Sequence, residues 1–204
     1  MTDADVPAPR PRRQRGWVDT VGVLIGALVI ALLIQWLLVK PYRIPSSSMV
    51  PTLQIGQRVL VNRLSNDFGH PKDGQVLVFH PPPGAEDSTC ATVPFGNQPC
   101  ERAVKGKAKV TYIKRLEGVG GDRLQIVHGH VIRNGKAVRE PYARTSDCEV
   151  CNLDPFTVPR GTYFMMGDNR GDSNDSRYWG PIARGNIVGR AFATYWPFKR
   201  LGGL

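Results

Sequence analysis

The feature that most constrains the fold is an uninterrupted apolar segment near the N-terminus, VGVLIGALVIALLIQWLLV at residues 21–39. It contains no charged residue, and as an α-helix rising about 1.5 Å per residue it would reach roughly 28 Å, enough to cross the hydrocarbon core of a bilayer. Trp17 and Trp36 lie near its two ends, where indole rings favour the membrane interface. We therefore predict one transmembrane helix over residues 17–39.

The charges around this segment predict its orientation. In the first 16 residues, four arginines outnumber two aspartates, and basic flanks favour the cytoplasmic side. We expect residues 1–16 to be a cytoplasmic basic tail and residues 40–204 to be extracytoplasmic. A cleavable secretory signal is the alternative, but its apolar region is normally about 7–15 residues long, shorter than this run.

Beyond residue 39 the chain is rich in turn-forming residues, and the protein contains 17 prolines and 22 glycines. This composition favours a mainly β architecture over a helical bundle. The extended runs, separated by Gly, Pro and Asn, are RVLVNRL (58–64), QVLVFH (75–80), KVTYIKRLEG (109–118), DRLQIVHGHVIRNGKAV (122–138), TYFMMGD (162–168) and IVGRAFATYWP (187–197). We predict an antiparallel β domain over residues 40–204.

Two segments inside this domain have a character of their own. Residues 81–108 show little periodicity and are predicted to form a long surface loop. The Asn-Gly pair of RNGK (133–136) is a strong signal for a type I′ turn, here between QIVHGHVI, which reads as one strand, and KAV. Residues of about 123–160 are therefore predicted to be an inserted β-hairpin region.

The formal net charge of +10 bears on the choice of partner. The lysines and arginines are scattered and lack the clustered stripe or interleaved aromatic residues typical of nucleic-acid binding. We expect no nucleic-acid partner and assign the basic surface to contact with the anionic lipid bilayer.

The four cysteines would lie in an oxidising compartment if residues 40–204 are outside the cytoplasm. Three pairings are possible, and sequence alone does not choose among them. We favour two local bridges, Cys90 with Cys100 and Cys148 with Cys151. Zinc is disfavoured because only one C-x2-C pair is present.

Lys114 lies in VTYIKRLEG, where strand alternation places it on the same face as Val110, Tyr112 and Leu116. A lysine held against apolar side chains loses hydration of its charged form, and its pKa falls. A snorkelling lysine, with a buried stem and a solvated amine, is the commoner outcome of such a pattern. A serine beside the lysine would strengthen the case for a base, since a neutral amine can accept a hydroxyl proton.

Two further stretches carry polar side chains that could do chemistry. IPSSSMVPTL (44–53) places three serines just beyond the apolar segment, and its Met49 and Val50 are candidates for contact with the bilayer surface. GDNRGDSNDSRYWG (167–180) has the composition of a tightly folded polar loop, although a solvated turn would look the same.

Taken together and in order, these stretches resemble the type I signal peptidase family, bacterial membrane enzymes that remove signal peptides from exported proteins. The resemblance covers the apolar segment, IPSSSMVPTL, GQRVLVNRL, YIKRLEGVGGD, GDNRGDSNDSRYWG and VGRAFATYWPF. It implies an antiparallel β catalytic domain of signal-peptidase type and a Ser-Lys endopeptidase. Residues 81–108 and the CEVC segment (148–151) are where the chain departs from the family.

The resemblance also implies roles for individual residues. Ser48, the serine before methionine in P-S-x-S-M, matches the nucleophile, and Lys114 matches the general base. The oxyanion would be bound by the Ser46 hydroxyl and the Ser48 backbone N–H. The residues that match site-supporting positions in the polar loop are Ser173, which would orient the lysine amine, together with Asp175, Arg177, Asp168 and Asn169.

The chemistry so implied is acyl transfer through an acyl-enzyme, without a metal or cofactor. The expected substrates are preproteins whose signal peptides carry small residues at positions −1 and −3 before the cut. We expect the protein to act as a monomer.

Two other classes of function stay open on the residues alone. A Ser-His-Asp hydrolase could use Asp175 and one of four histidines, none of which lies in a recognisable motif: His70, His80, His128 and His130. A membrane-anchored β module that scaffolds exported proteins would need no catalytic residue, so Ser48→Ala would leave its function unchanged.

Overall fold

The computed structural model describes residues 17–64, 69–87, 97–100 and 103–204, with only the backbone described at residues 18 and 34–37. The chain divides after Leu37 into two compact units, each described by itself. The predicted tail (1–16), Cys90 and part of the predicted 81–108 loop lie outside the described residues.

The first unit contains one long helix, α1 (Trp17–Leu38), of 22 residues. Its side chains are exposed from residue 19 to residue 33, and most of them are apolar. Within the described residues, no helix combines the length and the apolar character needed to cross a membrane. The structure therefore does not confirm the transmembrane span predicted for residues 17–39.

The second unit is mainly antiparallel β, as predicted. Its larger sheet has eight strands in the order β1-β2-β11-β3-β4-β9-β10, with β12 paired to β11. The strands are β1 (Val39–Arg43), β2 (Arg58–Asn62), β3 (Val76–Phe79), β4 (Tyr112–Val119), β9 (Thr162–Met166), β10 (Ile182–Ala183), β11 (Ile187–Trp196) and β12 (Gly202–Gly203). One turn of helix, α2 (Ser176–Trp179), follows β9.

The smaller sheet has four strands in the order β7-β6-β5-β8. They are β5 (Arg123–Val127), β6 (His130–Arg133), β7 (Lys136–Ala137) and β8 (Leu153–Thr157). Its buried side chains pack together with Phe164 and Met166 of β9, so the two sheets share a hydrophobic cluster. Because β9 also borders β4 in the larger sheet, this cluster connects the small sheet to the strand that carries Lys114.

Turn chemistry explains the hairpins of the small sheet. Asn134 and Gly135 both have positive φ, which confirms the type I′ turn predicted between β6 and β7. The continuous strand predicted for QIVHGHVI is wrong, because His128 and Gly129 also adopt positive φ and turn the chain between β5 and β6. Gly129 permits this turn at no steric cost, a preference that outweighs the β propensity of its neighbours.

The core of the larger sheet corrects one further expectation. Met49, predicted to contact the bilayer surface, is fully buried in a cluster with Ile44, Leu53 and residues of β2 and β3. Burial of apolar side chains on both sides of the serine run holds this loop against the sheet. The segment that contains Ser48 is thus part of the packed body.

Candidate active site

Ser46, Ser48 and Lys114 line one cavity of about 520 Å³. Its walls are formed by the end of β1 with the serine segment, by β3, and by the start of β4. Asp172 and Asn174 of the polar loop complete it. The structure therefore brings the predicted nucleophile, the predicted base and the predicted oxyanion hydroxyl to one place, although they are distant in sequence.

Ser48 lies in a tight turn that its apolar neighbours hold in place. The Val50 N–H donates to the Ser47 carbonyl at 2.9 Å, and the Leu53 N–H donates to the Met49 carbonyl at 2.8 Å. The side chain of Ser48 is largely buried, and its Oγ lies 3.3 Å from Ser46 Oγ. Two hydroxyls are thus placed side by side at the cavity.

Lys114 is one of the most buried charged residues of the described chain, with only 4% of its surface exposed. It lies near the start of β4, where its partner on β3 is Leu77, and the pairing of β4 with β9 begins at the next residue, Arg115. Burial lowers its pKa from 10.5 to about 8, because the charged amine loses hydration. Asp175 opposes this decrease and Arg177 reinforces it.

Arg115, which follows Lys114, points to the other face of β4 and binds Asp168. Its Nε donates to Asp168 Oδ1 at 2.8 Å, and a second guanidinium nitrogen donates to Oδ2 at 2.6 Å. Thr52 Oγ1 also donates to Asp168 Oδ2. Because such two-pronged pairs are geometrically specific, this contact fixes the start of the polar loop against β4 and the serine loop.

The polar loop also holds the backbone of the serine segment. The Asn169 N–H donates to the Ser48 carbonyl at 3.0 Å, and its side-chain amide donates to the Ser47 carbonyl at 3.4 Å. Gly167 passes so close that a Cβ there would overlap Ser173 Oγ and the Ser48 carbonyl. Only glycine fits between these two residues.

Ser173, Asp175 and Arg177 form a second buried group in the loop. Ser173 Oγ donates to Asp175 Oδ2 at 2.7 Å, and Arg177 binds both carboxylate oxygens, at 2.8 and 2.9 Å. The Gly167 N–H donates to Asp175 Oδ2 at 2.9 Å. Burial alone would raise the pKa of Asp175, but Arg177 and these donors keep it below its ordinary value.

A third buried group contains residues that sequence reasoning missed. The Arg170 guanidinium donates to Glu140 at 2.6 Å and to Glu117 at 3.2 Å, while its Nε donates to the Gly167 carbonyl at 2.9 Å. Burial raises the pKa of Glu117 to about 8, although Arg170 opposes the shift. Glu117 follows Lys114 by three residues, but nothing in the sequence pairs it with the distant Glu140.

Two predicted relationships are not seen. Among the described residues, no hydrogen bond joins the Lys114 amine to Ser48 Oγ or to Ser173 Oγ, the hydroxyl expected to orient it; Ser173 Oγ donates to Asp175 instead. Hydrogen bonds of catalytic groups are often long without substrate and shorten in the substrate complex.

The histidines do not approach the serines. No histidine is among the described residues that line the cavity. His80 Nδ1 lies 2.9 Å from the Val110 carbonyl, His70 Nδ1 accepts from Arg184 at 2.7 Å, and His130 lies 3.4 Å from Glu140. The arrangement therefore does not support a Ser-His-Asp site.

The structure shows one of the two local bridges favoured from the sequence. Cys148 and Cys151 form a disulfide, which confirms that prediction. Cys100 is also disulfide-bonded, and its expected partner, Cys90, lies outside the described residues.

The close approach at Gly167 yields a test. We expect Gly167→Ala to lower the turnover number about 100-fold, because the added methyl must push Ser173 or the Ser48 backbone away from its position. Gly202→Ala is the matched control, since a Cβ at Gly202 has open space around it. Peptide-cleavage kinetics measure both variants, and wild-type turnover in Gly167→Ala would contradict the tight contact.

Comparison with known proteins identifies the family of the chain. The family model for signal peptidase, peptidase S26, matches residues 17–196. A signal peptidase I from Leptolyngbya laminosa is 31% identical over 201 residues, which cover 98% of this chain and 90% of that protein. A probable signal peptidase I-1 from Synechocystis is 35% identical, over 100% of this chain and 93% of that protein.

Two further similarities are to proteins of Bacillus subtilis and Enterococcus faecalis. Signal peptidase I T from Bacillus subtilis is 34% identical over 87% of this chain and 84% of that protein. A crystal structure of a signal peptidase I from Enterococcus faecalis aligns with a TM-score of 0.39 and 22% identity over 59% of this chain and 96% of that one, a likeness too low to add weight. The family match and the extent of the sequence similarity establish that the chain belongs to the signal peptidase family, peptidase S26, and is a hydrolase of that family.

Proposed function

We propose that this protein is a serine endopeptidase that cleaves N-terminal signal peptides from exported preproteins by a Ser-Lys acyl-enzyme mechanism. The observation that carries the proposal is the burial of Lys114 in the cavity that also contains Ser48. A lysine with a pKa of about 8 is partly neutral near physiological pH, so it can serve as a base.

In the acylation step, Ser48 Oγ attacks the scissile carbonyl carbon and its proton passes to the neutral Lys114 amine. The C–N bond then breaks, and the protonated lysine gives a proton to the leaving amine. Because the lysine returns to its neutral form, it can next accept a proton from the water that hydrolyses the ester. The product acid leaves and Ser48 Oγ regains its proton.

The negative charge that develops on the carbonyl oxygen needs donors at the cavity. The Ser46 hydroxyl, 3.3 Å from Ser48 Oγ, and the Ser48 backbone N–H are the groups we assign to this role. The Asn169 N–H donates to the Ser48 carbonyl and its side-chain amide donates to the Ser47 carbonyl, so the peptide planes on both sides of the nucleophile are held in place.

The cavity wall supports a preference for apolar side chains before the cut. Its apolar lining includes Ile44, Val78, Val110 and Ile113. Extended substrate residues at −1 and −3 point to the same side of their strand, so both would meet this wall. We propose that the protein accepts small residues such as alanine at these two positions.

We further propose that residues 17–39 anchor the protein to the bacterial cytoplasmic membrane, with residues 1–16 in the cytoplasm and the β unit outside. The charge-free run 21–39 and the exposed apolar side chains of α1 support this proposal. An anchor of this kind would place the cavity near the membrane-embedded end of a substrate.

Preprotein cleavage tests the catalytic proposal. We expect Ser48→Ala to reduce cleavage by about 10⁴-fold or more, while Ser47→Ala, which removes the adjacent hydroxyl, stays within about threefold of wild type. Wild-type activity should rise from pH 6 to pH 9 with a midpoint of about 8, because only the neutral Lys114 amine accepts the proton. Full activity in Ser48→Ala would contradict the mechanism.

Membrane fractionation tests the anchor. We expect the full chain to remain with the membrane after alkaline carbonate extraction and a chain that begins at residue 40 to be released, because only the former contains the apolar run. Release of the full chain by carbonate would show that the segment does not span the bilayer.

A further inference from the structure

The CEVC segment is the part of the chain for which the proposed mechanism has no role, yet it contacts the polar loop directly. The disulfide between Cys148 and Cys151 closes a loop of four residues, the CEVC loop (148–151). Arg177 NH1 donates to the Val150 carbonyl at 3.0 Å and to Cys148 Sγ at 3.3 Å. Both described partners of this nitrogen therefore belong to the CEVC loop.

The other nitrogens of Arg177 face the candidate active site. Nε and NH2 bind the two Asp175 oxygens, and NH2 also donates to the Arg170 carbonyl at 2.8 Å and the Ser173 carbonyl at 3.3 Å. The side chains of Arg177 and Asp175 are completely buried. A planar guanidinium that is held on both sides has one orientation. The contacts of NH1 with the CEVC loop therefore determine where Nε and NH2 donate to Asp175.

The CEVC loop is itself fixed on its opposite side. The Gly129 N–H, in the turn between β5 and β6, donates to the Cys151 carbonyl at 2.8 Å. Val150 packs against the hydrophobic cluster shared by the two sheets. With the disulfide closed, the loop is a short rigid bridge from the small sheet to Arg177.

We propose that the CEVC loop is a positioning element of the active site, which through Arg177 fixes Asp175 and hence Ser173 beside the cavity. This inference rests on the Ser-Lys mechanism proposed above. Opening the disulfide frees the Val150 carbonyl from its position, and NH1 then loses its fixed acceptors. Arg177 gains the freedom to turn away from Asp175.

The charges around the Lys114 amine give this proposal a characteristic signature. The groups that act on the amine are Asp175, Arg177, Asp172 and Asp168. Displacement of Arg177 removes a positive charge that lowers the pKa of Lys114, and it leaves Asp175, which raises that pKa, less neutralised. Both effects move the pKa of the lysine upward, so the acidic limb of the pH–rate profile moves to higher pH.

The experiment compares wild type with the double variant Cys148→Ser/Cys151→Ser in preprotein cleavage across pH 6 to 10. We expect the turnover number to fall about tenfold with KM within about twofold, and the acidic limb to shift upward by roughly half a pH unit. Glu149→Gln, an exposed change inside the loop that keeps the disulfide, is the matched control and should match wild type. Thermal unfolding of each variant reports its folded fraction.

Reduction of folded wild type is the second measurement, which does not depend on the double variant folding. A dithiol reduces the disulfide to two thiols and is itself oxidised to a cyclic disulfide. We expect the dithiol to lower the turnover number of wild type and to move the acidic limb of its pH–rate profile to higher pH, as in the double variant. The dithiol should leave the double variant unaffected. A dithiol effect of equal size in both proteins would assign it to the Cys100 disulfide and overturn the proposal.

Two other results would also overturn the proposal. One is a wild-type turnover number in the double variant. The other is a reduced turnover number with the acidic limb of the pH–rate profile unshifted, which indicates a general loss of rigidity in the fold. Failure of the Ser-Lys mechanism would give a different result from failure of this proposal, because Ser48→Ala would then cleave the preprotein as well as wild type does.

Discussion

The proposed chemistry depends on one desolvated amine, that of Lys114. Only 4% of the Lys114 surface is exposed, so water reaches its amine poorly and the charged form is destabilised relative to the neutral form. A decrease in pKa from 10.5 to about 8 corresponds to about 3 kcal/mol of differential free energy between the charged and neutral forms. This free-energy difference comes from the packing that buries Lys114 in the larger sheet, so the stability of the fold and the proposed chemistry are linked.

The polar loop provides the electrostatic counterpart to this burial. Asp168 pairs with Arg115, Asp175 pairs with Arg177, and Glu117 and Glu140 share Arg170. Each arginine offsets the cost of burying the carboxyl groups that it contacts. At the Lys114 amine itself, Asp175, Asp172 and Asp168 raise the pKa and Arg177 lowers it. The loop also ties β4 to the serine segment and to the small sheet. The polar loop contains many short polar side chains because the buried polar and charged groups around it need hydrogen-bond partners.

The mainly β fold, most strands of the larger sheet and the Asn-Gly hairpin could be predicted from local patterns, because alternation and turn preferences act over a few residues. The residues of the candidate site could be named from family motifs, since Ser48 and Lys114 lie in short distinctive stretches. The break at His128-Gly129, the burial of Met49 and the Arg170 cluster were beyond such reasoning. The burial of Met49 and the Arg170 cluster depend on contacts between segments distant in the chain, for which a single sequence carries no local signal. The break at His128-Gly129 has a local cause, the turn that Gly129 permits, but the β propensity of its neighbours concealed it.

The most direct measurement is titration of the Lys114 amine itself, followed by NMR of lysine-labelled protein in the Ser48→Ala background, which keeps the cavity intact. Comparison with Lys114→Ala assigns the resonance. We predict a midpoint of about 8 for this amine. A midpoint at the ordinary lysine value of 10.5 would contradict it, because an amine that stays charged at neutral pH cannot accept the serine proton.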